Sequence, residues 1–117
     1  MREKIIDFVR ADGAPVHSAP EPERVIDGEP RWRSWIYFSE AEMSSGLWES
    51  SPGRWTIAYD KWEFLHILDG AGTVRGEDGT VIDLKPGATA VIRPGFKGTW
   101  EVHETMRKQF FVRRLAP

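Results

Sequence analysis

At 117 residues and 40% hydrophobic content, with six Trp and six Phe, the chain is large enough for one domain hiding roughly two-thirds of its unfolded surface, which excludes global disorder. Sixteen basic against eighteen acidic side chains leave a net charge of −2, too balanced to draw in nucleic acid or an anionic membrane. The absence of cysteine excludes disulfides, thiolate catalysis and cysteine metal sites, and no apolar run approaches the ~18 residues of a membrane span.

Residues 1–30 set themselves apart. Positions 1–9 are too short and too charged for a signal peptide, so a cytoplasmic protein is expected. Pro15, Pro20, Pro22 and Pro30 fix φ and remove backbone donors, which predicts an extended N-terminal arm, with Val16 and the Val25-Ile26 pair as anchors and His17 solvated. Residues 31–117 then form a single β-barrel domain. The stretch 32–38 reads as a strand. Arg31-Trp32-Arg33-Ser34-Trp35 interleaves basic and aromatic residues as single-strand nucleic-acid binders do, but the acidic balance favours an edge strand with its arginines outward. Ser39-x-x-Glu42 has the form of a capping box, with room for one helical turn before Gly46. Leu47-Trp48 opens another extended piece, broken at Ser51-Pro52-Gly53.

Regular punctuation follows. Strands are predicted at 54–59, 62–68, 71–75, 80–84, 88–92, 99–103 and 106–113. Between them stand Asp69-Gly70, Asp78-Gly79, Pro86-Gly87 and Pro94-Gly95. Asp78-Gly79 suits a tight hairpin, and each Pro-Gly pair suits a type II turn with glycine taking the positive φ. Short strands with almost no helical periodicity imply an antiparallel sandwich or barrel. Alternation puts Glu63, Leu65 and Ile67 on one face and Trp62, Phe64, His66 and Leu68 on the other. His103 likewise opposes Trp100 and Val102, so neither His66 nor His103 is expected as a metal ligand.

Gly53-x-Trp55, Tyr59-x-x-x-Glu63, Leu68-x-Gly70, Asp78-Gly79, Pro86-Gly87, Gly95-Phe96-Lys97-Gly98-Thr99-Trp100 and Arg107-Lys108 occur in an order that resembles the cupins, small jelly-roll (RmlC-like) barrels. The resemblance is to the single-domain group that includes the cupin domain of (S)-ureidoglycine aminohydrolase and the ethanolamine-utilisation cupins. It implies an all-β antiparallel jelly roll, a pocket inside it and pairing into a homodimer, for which the N-terminal arm could be exchanged. Metal-binding cupins carry G-x5-H-x-H-x3-4-E-x6-G, then G-x5-P-x-G-x2-H-x3-N. Glu63-x6-Gly70 fits the end of the first motif, and counting back puts Thr56 and Ala58 in the histidine positions. Arg93 replaces the proline of the second motif, and Gly98 and Trp100 stand where its imidazole is sought. Three of four ligand positions lack the imidazole or carboxylate that a metal requires there, so neither metal nor other cofactor is expected.

A buried Glu63 needs a partner, and Arg93, Lys108 and the Tyr59 hydroxyl are the candidates. Two readings follow. In one, Glu63, Tyr59 and Lys108 are catalytic, with Trp100, Arg93 and Thr56 binding a small polar or nitrogen-containing metabolite. In the other, Glu63 merely ties two strands, and bulky Leu65, Ile67, Trp100 and Val102 fill the barrel of a non-catalytic homodimeric module. If Thr56 and Ala58 point inward, Trp55 points outward.

Overall fold

The computed structural model describes residues 4–8 and 13–115, so the expected arm at 1–30 is described only in part. Among the described residues there are nine strands, all paired antiparallel, and one short 3-10 turn at Pro22–Arg24. The strands are β1 (Val16–Ser18), β2 (Val25–Gly28), β3 (Trp32–Glu40), β4 (Met43–Ser50), β5 (Gly53–Ala58), β6 (Lys61–Gly76), β7 (Val81–Leu84), β8 (Thr89–Ile92) and β9 (Lys97–Arg114). The antiparallel jelly roll that the resemblance implies is the observed architecture. No helix among the described residues is long and apolar enough to cross a membrane.

Strand β9 is the spine. Its first half pairs with β5, its second half with β4, and β6 runs beside both, from Lys61 opposite Arg114 to Gly76 opposite Gly98. Trp100, Val102, Met106, Lys108 and Val112 recur at even positions and all turn inward, as a half-buried strand requires. In β6 the inward set changes phase, from Glu63, Leu65 and Ile67 to Gly72 and Val74. The register shifts between Ile67 and Gly72 make that change possible, because one extra residue in a bulge moves the following side chains to the opposite face. Asp69-Gly70, expected as a break between two strands, is therefore a bulge inside one. Gly70 takes φ 93°, open to glycine and strained for other residues.

The turns behave largely as their chemistry dictates. Ala88 N–H donates to the Lys85 carbonyl at 2.9 Å and Phe96 N–H to the Arg93 carbonyl at 3.3 Å, with Gly87 and Gly95 at φ 92° and 94°. At Asp78-Gly79 only the glycine has positive φ, and the Asp78 carboxylate instead accepts the Thr80 N–H at 2.9 Å. The helical turn expected after Ser39 does not form. Glu40 pairs with Met43, and Ala41 and Glu42 make the tip of the β3–β4 hairpin, because eight cross-strand pairings outweigh one isolated helical turn. Strand β3 is an edge only in part, since β1 pairs with its first three residues, Trp32, Arg33 and Ser34. Its Arg33 does point away from the core and joins Arg107 on Glu49, clamping β3, β4 and β9 together. Burial pushes the Glu49 carboxyl up, but hydrogen bonds from Arg107 and Arg33, and their charge, hold it below its usual value.

The core gathers Trp55, Leu65, Ile67, Val74, Leu84, Ile92, Trp100, Val102 and Met106 between the two curled halves of the sheet. Four tryptophans from β3, β4, β5 and β9 meet there. Trp32 lies 6.0 Å from Trp48 and 5.4 Å from Trp55 between ring centroids, and Trp48 lies 5.8 Å from Trp100.

Candidate functional site

The inward run of β6 begins with a carboxylate. Glu63 is only 4% exposed, and both its oxygens are occupied. The Tyr59 hydroxyl donates to Oε1 at 2.5 Å, and the Lys108 ammonium donates to Oε2 at 2.9 Å. Lys108, 6% exposed, comes from the inward face of β9, and its Nζ lies 4.4 Å from the centroid of the Trp48 ring and 4.3 Å from that of Trp100. A desolvated ammonium is thus balanced by one carboxylate and two indole faces. Beside this group opens a cavity of about 450 Å3, walled by Trp32, Trp48, Trp55 and Trp100 and reaching Asp60, Lys61 and Arg114 at the barrel end.

Burial pushes the Tyr59 phenol well above its usual pKa, and the Glu63 charge and its hydrogen bond add to the shift. The folded state therefore holds this proton more tightly than the unfolded chain. The stabilisation is complete below the unfolded pKa of about 10 and is lost as pH rises above it. Tyr59→Phe should flatten the fall in stability above about pH 10, measured by denaturant unfolding at stepped pH. An unchanged alkaline slope would contradict this assignment.

Of the residues singled out from sequence, Glu63, Tyr59 and Lys108 come together, and Trp100 and Thr56 line the same cavity. Arg93 does not. Ile92 turns inward, so the next residue must turn outward, where the exposed Arg93 guanidinium stacks 5.3 Å over Trp62. The phase of β5 is also the reverse of that expected. Trp55 is buried with Ile57 packed against the core, and Thr56 and Ala58 are exposed along the cavity's edge. Spacing the motif by three residues before Glu63, not four, places Ile57 and Tyr59 in the histidine positions and agrees with this phase. Trp48, the second ring on the ammonium, was not singled out from sequence. Its signal is the alternation Ser44, Gly46, Trp48, Ser50, one large ring among small residues that leave room for a cavity.

The sequence pattern of the EutQ-like cupin domain matches residues 39–110, a span that contains Glu63 and Lys108. The chain belongs to the EutQ-like cupin family. Among solved structures, this cupin is similar to a protein of unknown function from Pseudomonas syringae pv. tomato, with TM-score 0.77, 24% identity, and coverage of 84% of this chain and 43% of that one. It is also similar to EutQ from Clostridium difficile, with TM-score 0.64, 15% identity, and coverage of 72% and 63%. Ectoine synthase from P. lautus matches with TM-score 0.62, 16% identity, and coverage of 81% and 72%. This cupin thus spans less than two-thirds of the first two structures, and at these identities the likeness establishes the fold. A search of curated proteins gives no match.

Many cupins hold a divalent metal, and the residues of this one do not fit such an ion. Ile57 and Trp100 offer no donor, and among the described residues no three His, Asp or Glu side chains gather. Glu63, the one acidic ligand position retained, already spends both oxygens, one of them on an ammonium. A metal at Glu63 would have to displace or repel that neighbouring cation.

Proposed function

We propose that this cupin binds a small polar or nitrogen-containing metabolite in its barrel without a metal, using Lys108, Glu63 and Tyr59 as the polar centre. The observation that carries this reading is the buried ammonium–carboxylate–phenol group beside an open, tryptophan-walled cavity. Lys108 has three N–H donors, of which the Glu63 contact uses one, and the Tyr59 oxygen can still accept a hydrogen bond from a ligand N–H. The same set can move a proton. Tyr59 is held un-ionised, so Glu63 is the base and Lys108 the cation that steadies developing negative charge. Trp48 and Trp100 supply flat faces for the body of the ligand.

A barrel plugged by its own side chains is the competing reading. A cavity of about 450 Å3 favours the first, since that volume holds a compact metabolite. The test is a metabolite thermal-shift screen on wild type and on the E63M/K108M variant, which removes both charges together. Compounds that stabilise wild type should leave the variant unshifted; equal shifts in both proteins would remove the proposed site.

The expected homodimer belongs to this proposal. Phe64, 43% exposed on the outer face of β6, is joined by exposed Trp62, Val91 and Phe111, an apolar set that a second copy could cover. Sedimentation should give a dimer at micromolar concentration and a shift toward monomer in Phe64→Glu; a monomeric wild type would contradict it.

A further inference from the structure

The mouth of the cavity carries an unusual charge arrangement. Lys61 and Arg114 are direct cross-strand partners at the ends of β6 and β9, and both line the cavity. Like charges placed directly opposite on a sheet repel. Among the described residues neither forms an ion pair with an acid. The Lys61 ammonium lies 5.7 Å from the Tyr59 ring. Arg24, from the 3-10 turn, lines the same opening, with part of its charge engaged by neighbouring Glu23. Counting all lining residues, four cations (Arg24, Lys61, Lys108, Arg114) face two acids (Asp60, Glu63), a net of +2 inside a chain whose own net is −2.

We infer that the cavity takes small organic anions. A ligand oxyanion, carboxylate or phosphate, sits between Lys61 and Arg114, and the rest of the molecule packs on the tryptophan wall. This rests on the ligand-binding reading above and narrows it to a charge class. Concentrated positive potential in a concave, low-dielectric site raises the local concentration of anions and speeds their entry, even on a net-acidic protein. The repulsion between Lys61 and Arg114 is relieved when the oxyanion arrives, so ligand-free protein should be limited by that pair and ligand-bound protein should not.

The test uses four ring probes of similar size: benzoate, phenyl phosphate, neutral benzamide and cationic benzylamine. Binding is followed by calorimetry and by NMR shifts of the tryptophan indole protons, in wild type, Lys61→Gln and Arg114→Gln. Benzoate or phenyl phosphate should bind about fivefold to tenfold more tightly than benzamide at low salt, and either glutamine variant should erase most of that preference. Which of the two anions binds better tells carboxylate from phosphate. Raising NaCl toward 1 M should also erase the preference, since the Debye length then falls to about 3 Å. Without any probe, each glutamine variant should melt at or above the wild-type temperature. Equal or tighter binding of benzamide or benzylamine would overturn the anion assignment while leaving a ligand site in place. Failure of all four to bind at millimolar concentration would overturn both readings of the cavity.

Discussion

Glu63→Met and Lys108→Met should each cost about 3–5 kcal/mol of unfolding free energy, and the double variant should cost far less than their sum. Each single change strands a charge in the core, whereas removing both replaces an ion pair by apolar volume. The two singles should differ in kind. Lys108 without Glu63 keeps the faces of Trp48 and Trp100 at 4.4 and 4.3 Å, so Glu63→Met belongs at the lower end of the range. Glu63 without Lys108 keeps only the Tyr59 hydroxyl and should escape its burial cost by taking up a proton. Its folded pKa is then raised. The resulting stabilisation is present below the ordinary carboxylate pKa and lost as pH rises through the raised value, so Lys108→Met should gain stability relative to wild type on acidification. Guanidinium unfolding of the four proteins at two pH values measures all of this. Additive costs would show that the two charges do not depend on each other.

The second large effect is expected at Gly70. A Cβ there would collide with the Thr105 carbonyl oxygen and come within 2.6 Å of Met106 Cα, on a backbone held at φ 93°. Both opposing atoms are backbone of β9, which cannot swing aside as a side chain would. Gly79 is the control, with φ 92° and nothing within 4 Å of the added carbon. Gly79→Ala should cost only the conformational strain, about 1–2 kcal/mol, and Gly70→Ala at least twice that, enough to leave little folded protein. Circular dichroism melting of both variants checks it. Similar losses at the two sites would mean that the bulge tolerates a side chain and does not set the phase of β6.

The bulge also explains what could be read from the residues and what could not. Turn chemistry is local, so Pro86-Gly87 and Pro94-Gly95 announced their turns and with them the barrel. Alternation is equally local, and it correctly set Glu63, Leu65 and Ile67 against Phe64. The phase of β5 depends on how many residues separate it from β6. One residue more or less swaps Thr56 and Ala58 for Trp55 and Ile57, and only packing against Trp32 and Trp100 decides between them. Arg93 followed motif spacing into the pocket, although inward Ile92 beside it forces the guanidinium out. Trp48 reaches Lys108 across the β4–β9 register, a pairing between residues 60 positions apart that no local pattern encodes.

Diffraction at the zinc absorption edge, from crystals grown with and without zinc, probes the barrel most directly. The Lys108 nitrogen should lie within hydrogen-bond distance of Glu63 in both, with no anomalous peak beside that carboxylate. A zinc ion coordinated by Glu63, with the lysine swung away, would contradict it.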